Sequence, residues 1–495
     1  PTFKIIIYLP VSAISVSSTK KMVQFQRSHG NNHVEDCEET VASFVCPNIN
    51  KPKAKPRFLY LSFLCLVFLA FNLLRSSTFH RIYLFTLSDE KVVALLCSSI
   101  SNGSVCCDRT NHRFDVCFMK GDLRTNSSSS SVVLYSEGDV LQVEKLKPYP
   151  RKWENDTMAT VGELSLVVTN EDDHGTHGCH VTHDVPAVVF STSGYTGNLF
   201  HEFNDGVLPL YITSDRFNRK VVFVVQEYHE WWKTKYSDIL SQLSEFPVID
   251  FSSDRRTHCF HDAVAGLMHH GDLTVDSSLM EGNKTIVDFR NMLNEAYAPR
   301  IRGLIEEEKK ADVAGKGTEP KPKLVIISRS GSREVLNEKQ LVKLAGKIGF
   351  EVETVRPDRT TELAKIYRSL NSSDVLVGVH GAAMTHFLFM RPGSVFIQVV
   401  PLGTEWASEN YYGGPARKMG LEYFPYRILP EESSLYDEYD RDNYVLNDPQ
   451  SVNDKGWAYT KSIYLDRQNV RLNLKRFRGV LVRAHNHALL HMANI

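Results

Sequence analysis

Residues 374–401 read DVLVGVHGAAMTHFLFMRPGSVFIQVVP. The runs 374–379 and 394–400 are almost wholly apolar, with no polar alternation. Strands of that kind are buried on both faces and belong to parallel sheets covered by helices. Between them lie the turn His380-Gly381-Ala382-Ala383 and an apolar helical segment, 384–390, stopped by Arg391-Pro392-Gly393. The stretch is therefore a strand–turn–helix–strand unit of an α/β sheet. Working outward, 323–328 and 351–355 read as further strands of the same sheet. Leu363, Ile366, Tyr367 and Leu370 follow at i, i+3, i+4, i+7 and predict an amphipathic helix. Toward the N-terminus, 188–191, 220–225 and 248–251 read as strands of a second unit. AGKGTEPKPK at 314–323 has the composition of a linker between the two. The expectation is two α/β domains, 132–313 and 324–465, each with a parallel sheet, and a cleft between them. Residues 466–495 are expected as a helix packing across both domains, its basic face (Arg471, Lys475, Arg476, Arg478) in solvent. Residues 75–131 are polar, carry cysteines and end in NSSSSS, which reads as a stem and linker.

The 495 residues carry 57 Lys and Arg against 58 Asp and Glu. That balance excludes a protein held to nucleic acid by a global basic field. An apolar fraction of 42% excludes wholesale disorder, and a mean hydropathy of −0.25 excludes a multi-pass membrane protein. One membrane span is nevertheless expected at 58–74, FLYLSFLCLVFLAFNLL, seventeen residues without a charge. As a helix it covers about 25 Å. Lys51, Lys53, Lys55 and Arg57 precede it, whereas only Arg75 and Arg81 follow nearby. The asymmetry predicts a cytosolic tail at 1–57, an uncleaved anchor, and the remainder across the membrane. The chain opens on Pro1, and Met22 is the expected start of translation. The sequons at Asn102, Asn126, Asn155, Asn283 and Asn371 all follow the span. So do cysteines 97, 106, 107, 117, 179 and 259, an even set able to pair in an oxidising compartment.

Ligands of parallel α/β sheets gather beyond the carboxyl ends of the strands. There the sequence offers Arg329 and Arg333 after 323–328, His380, Gly381 and Ala382 after 374–379, and Glu405 after 394–401. Two guanidinium groups and a helix N-terminus suit a nucleoside diphosphate, and a carboxylate suits ribose hydroxyls. The plainer reading is a tight turn with solvated arginines. In the first unit, a helix opening near Gly197 would set Asn198, His201 and Asp205 on one face. A carboxylate four residues from a histidine either orients it or is a base supported by it; the plainer reading is a surface helix capped by Asn198. His174, His177, His180 and His183 recur every third residue, a period that brings no four ligands to one tetrahedral point. No metal site is expected, and Cys179 is expected in a disulfide. Asp440-Arg441-Asp442 lies in an acidic loop that reads as solvated surface. Tyr228, Trp231 and Trp232 offer faces to a pyranose or, more plainly, to a core.

Five blocks carry a resemblance: PAVVFSTSGYTGNLFHEFNDG at 186–206, HCFHDAVAGL at 258–267, ISRSGSREVLN at 327–337, residues 374–401, and ASENYYGGPARKMGLEY at 407–423. In this order they resemble glycosyltransferase family 61, in particular its plant xylan-decorating branch. The resemblance implies a GT-B-like fold of two facing Rossmann-like domains and inverting transfer from a UDP-sugar. It also implies a type II Golgi membrane protein with a luminal catalytic part. The activity it implies is a pentosyltransferase adding arabinofuranose or xylose to xylan. The alternatives are an N-glycan β-1,2-xylosyltransferase, another UDP-sugar transferase, or a silent Golgi glycan-binding subunit. Partners implied are a UDP-pentose, xylan or another glycan, the membrane, and Golgi complexes with other glycosyltransferases. No cofactor is implied, because Arg329, Arg333 and the helix start at Gly381 would hold the leaving diphosphate without a metal. On the pattern N-x-x-H-x-x-x-D, Asp205 is expected as the base, with His201 orienting it and Asn198 beside them; exchange of the first two roles stays open.

Overall fold

The computed structural model describes Cys97 and residues 100–136, 141–170, 178–311, 321–358 and 360–493, without the side chains of 307–311. The segment 58–74, its flanks, His174 and His177 lie outside the described residues. Among those described, no helix is long and apolar enough to cross a membrane.

Among the described residues fifteen strands form two sheets. The first contains β1 (Ser104–Asp108), β2 (Val116–Asn126), β3 (Ser131–Tyr135), β4 (Gln142–Leu146), β5 (Leu164–Thr169), β6 (Val181–Thr182), β7 (Ala187–Ser191), β8 (Val222–Gln226), β9 (Ile249–Asp250) and β10 (His258–Ala265). The second contains β11 (Lys323–Ile327), β12 (Glu351–Val355), β13 (Val375–Val379), β14 (Val395–Val400) and β15 (Glu422–Arg427). Every residue of β13 and β14 is buried, as continuous apolar runs require. Their connection closes so tightly that a Cβ at Gly378 would run into the Met384 thioether. The second sheet has the order β12-β11-β13-β14-β15 and is parallel throughout. The connections leaving β11 and β12 therefore run to opposite sides of β11, and a switch-point crevice opens between the ends of β11 and β13. Arg329 and His380 stand at those two ends.

The first sheet departs from the expected parallel one. Its order is β4-β5-β3-β2-β10-β7-β8-β9, with β1 beside β2 and β6 beside β10. The part through β7, β8 and β9 is parallel, but β2 pairs antiparallel with β1, β3 and β10. The described part of the expected stem thus contributes β1 and β2 to the sheet, with β2 near the sheet's middle. The serine run is no linker either: Ser127–Ser129 is a single 3₁₀ turn, with Asn126 Oδ1 accepting from the Ser128 N–H, and Ser131 already pairs with Asn126 across the hairpin. Lys323, expected in the linker, is the first residue of β11.

Three longer helices matter to the site: α1, made of Leu199–His201, Glu202–Val207 and Leu208–Ser214; α2, Ile286–Ala311; and α3, Leu363–Asn371. The apolar core of the first half runs on into the second. Phe389, from the segment after β13, packs edge-on against Phe203 of α1, Tyr297 of α2 and Tyr367 of α3. Arg290 of α2 donates from Nε to the Met390 carbonyl at 3.1 Å. The C-terminal helix α4, Leu474–Ala493, does not bridge the halves as expected. Its buried stripe Phe477, Leu481, Ala484 and Ala488 sits in the core of the second sheet, with Phe477 edge-on to Tyr426 at 4.8 Å. With small residues at 484 and 488, the helix lies close on that sheet. Its arginines and Lys475 are exposed.

The six cysteines pair as Cys97–Cys106, Cys107–Cys117 and Cys179–Cys259. The last fastens the segment before β6 to the central strand β10 across a sequence separation of 80. Cys259→Ser is expected to cost ~2–5 kcal/mol of stability, seen as a denaturant midpoint earlier than that of oxidised wild type.

Candidate active site

Helix α1 starts where Asn198 Oδ1 accepts from the Phe200 N–H at 3.0 Å. Buried Glu202 secures that start by accepting from the Gly197 N–H at 3.1 Å and from Lys235 Nζ at 2.9 Å. Asn198 is thus an exposed cap and makes no contact with His201 or Asp205 among the described residues, so the expected face of three reduces to two. The helix then widens into a π-turn over Glu202–Val207, a departure common at functional sites.

Asp205 lies in that turn with no solvent exposure. Its Oδ2 accepts from His201 Nδ1 at 2.7 Å, Arg151 Nε at 2.8 Å and Tyr149 Oη at 3.4 Å, and Oδ1 from Asn204 Nδ2 at 2.7 Å. Burial pushes its pKa up, but the His201 hydrogen bond and the Arg151 charge outweigh that and leave it below the ordinary value. An ionised Asp205 therefore accepts a hydrogen bond from the Nδ1–H of His201, which leaves the lone pair on Nε2. His201 keeps an outlet to solvent, and Tyr195 stacks on its ring at 4.2 Å. Arg151 continues the network to Glu154 at 2.5 Å, while Asn204 leads to Asp272, which Arg113 holds at 2.9 Å.

The second cluster stands at the switch point. Arg329 and Arg333 are largely buried, and no carboxylate pairs with either among the described residues. Burial lowers the pKa of both, and the charge of Arg329 helps bring Arg333 down to about 10. Arg333 takes a left-handed backbone conformation (φ 56°), its Nη1 donates to the His380 carbonyl at 3.1 Å, and its buried Nε has no partner. A left-handed backbone and an unpartnered buried donor at Arg333, beside a second guanidinium, form an arrangement able to receive an anion. Gly381 (φ 149°) is required here, since a Cβ would strike Nη1 of both arginines. Gly381→Ala is expected to push both guanidinium groups aside and, because the backbone there is strained for any Cβ, to lower the unfolding midpoint measured by thermal denaturation.

His380 is buried and neutral, its pKa pushed down to about 3 by burial and by the two arginines. Tyr423 Oη donates to Gln398 Oε1 at 2.6 Å, which turns the Gln398 amide to donate to His380 Nδ1 at 3.1 Å. The imidazole proton is accordingly on Nε2. Ser408 Oγ lies 3.0 Å from the same Nδ1. Ala382 opens a 3₁₀ helix, Ala382–Phe389, where an α-helix was expected. Glu405 begins the helix Glu405–Ser408, and burial raises its carboxyl pKa.

One aromatic step joins the clusters. Tyr412 Oη donates to the Gly381 carbonyl at 3.0 Å, its ring meets Phe200 at 5.9 Å, and Phe200 meets His201 at 5.2 Å. Tyr412 lies in a block quoted above without a role, whereas Tyr149 and Arg151 lie in a Pro- and aromatic-rich loop with no periodicity to single them out. Among the described residues no group of three His, Cys, Asp or Glu could hold a metal ion. His180 accepts from the Thr257 N–H through Nδ1, and His183 pairs with His258 at 2.9 Å.

The Glycosyltransferase 61 profile matches residues 200–397, a range that holds His201, Asp205, Arg329, Arg333 and His380 but not Arg151, Asn198 or Glu405. Xylan glycosyltransferase MUCI21 of Arabidopsis thaliana is 58% identical over 392 residues, 77% of this chain and 79% of that protein. Alpha-1,3-arabinosyltransferase XAT3 of Oryza sativa subsp. japonica is 38% identical over 76% of this chain and 64% of its own length. Beta-1,2-xylosyltransferase XYXT1 of the same rice is 35% identical over 76% and 83%.

Proposed function

The chain belongs to the glycosyltransferase 61 family and is a glycosyltransferase, and on that premise we propose that it moves a pentose, arabinofuranose or xylose, from a UDP-sugar onto xylan with inversion. The observation that carries this is the pairing of His201 with a buried, ionised Asp205 in one half and a carboxylate-free arginine pair in the other, joined through Tyr412. In this reading the fold is GT-B-like, with the donor in the second half and the acceptor in the first.

His201, rather than Asp205, is the base. All of Asp205's bonding capacity goes to groups of the protein, whereas His201 Nε2 has no partner among the described residues. The acceptor hydroxyl gives its proton to Nε2 as its oxygen bonds the anomeric carbon. On the opposite face the bond from that carbon to the UDP oxygen breaks, and the electron pair leaves with the diphosphate. Asp205 steadies the imidazolium so formed, and Arg329 and Arg333 hold the diphosphate charge without a metal. Glu405 is the proposed ribose contact. The three disulfides and the sequons support an oxidising secretory compartment, and with 58–74 as anchor the protein is a type II Golgi membrane protein.

The test is a panel of UDP-sugars and xylo-oligosaccharides given to the full chain, with and without EDTA. Addition of single pentose units at equal rates in both is the expected result. Transfer from hexose donors alone, or a rate lost in EDTA and restored by Mn²⁺, would overturn it.

A further inference from the structure

Two exposed indoles are anchored to the site, one from each half, and neither takes part in the proton transfer or the holding of phosphate. Trp406 is 66% exposed. It sits edge-on to Tyr411 at 5.5 Å, Tyr411 packs on Phe200 at 5.1 Å, and Phe200 is the neighbour of His201. Trp153 is 42% exposed. The guanidinium carbons of Arg113 and Arg151 lie 4.8 and 5.3 Å from its centre, and Arg151 is the residue that holds Asp205. Both rings are thus held by neighbouring side chains yet left open to solvent, as a platform that stacks on a sugar ring must be.

We infer that Trp406 and Trp153 are stacking platforms for the acceptor chain, carrying its pyranose rings to either side of the hydroxyl that faces His201. This rests on the acceptor reading above. A xylopyranose ring has no exocyclic hydroxymethyl group, so both its faces present C–H bonds to an indole. The aromatic group singled out in the sequence lacks that link: Trp232 is core, Tyr228 donates its hydroxyl to Glu230, and Trp231 meets His229, with no ring contact to Phe200 or His201 among the described residues.

The experiment compares wild-type full chain with Trp406→Ala, Trp153→Ala and the gentler Trp153→Phe. Binding of xylo-oligosaccharides of two to six units to UDP-saturated protein is measured by calorimetry, beside transfer kinetics on the same series. Wild-type affinity is expected to grow with chain length. Each alanine variant should flatten that gain and weaken binding of the longest chain about tenfold, with Trp153→Phe between and UDP affinity within twofold of wild type. Unchanged affinity at every length, or a loss of UDP binding in Trp406→Ala, overturns the inference. Wild type that binds the chains by this pattern but transfers nothing sustains the platforms and sinks the proposed reaction. Transfer with length-independent KM in all variants does the reverse.

Discussion

His201→Ala lowers kcat by about 10²- to 10⁴-fold, the range expected when a positioned base is lost, while UDP affinity stays near that of wild type. The side chain is partly exposed, and its ring bonds only Asp205 and stacks on Tyr195, so its removal leaves the fold intact. Asp205→Asn behaves differently. The carboxylate is buried against Arg151, and neutralising it breaks that pair and leaves the guanidinium to Glu154. Breaking such a pair costs ~3–5 kcal/mol, so the variant loses stability as well as rate. An unfolding curve taken beside the kinetics separates the two losses. If His201→Ala kept wild-type kcat while a folded Asp205→Asn had none, the roles would be exchanged.

The second large effect belongs to the arginine pair. Arg329→Ala or Arg333→Ala is expected to lower kcat/KM for the donor by about 10²- to 10³-fold, as for loss of a group aimed at developing negative charge. Stability of the free protein should hardly fall. The two guanidinium groups repel each other in a buried setting, and neither offsets a carboxylate. Wild type gains stability when UDP is added, by mass action, and the variants should lose that gain. A variant that unfolds much earlier without UDP yet keeps the UDP shift would mean that the arginines are structural.

Four strands of the second sheet were legible, β11, β13 and β14 as continuous apolar runs and β12 as a short β-branched one, whereas β15, with charged ends and Pro425 inside it, was missed. β2 and β10 were missed too, although they form the middle of the first sheet. Lys120 and Asp122 face solvent in β2, and β10 carries His261 and Asp262 outward with a register shift between Phe260 and Asp262. A half-exposed strand with a bulge has neither unbroken apolarity nor clean alternation. At the site, the spacing of His201 and Asp205 revealed the pair but not which member is buried. That depends on Arg151 and Tyr149, 54 and 56 residues away in sequence, and no local pattern reports a contact at such range. The arginine pair was legible as residue types, whereas its lack of a counter-charge is a property of packing alone.

Proton NMR of the product made by the full chain from a UDP-pentose and a xylo-oligosaccharide tests the central claim most directly. One pentose attached to a xylose hydroxyl, with anomeric configuration opposite to that in the donor, is the predicted result. A product of retained configuration, or free pentose and UDP with no sugar on the xylan chain, would contradict it.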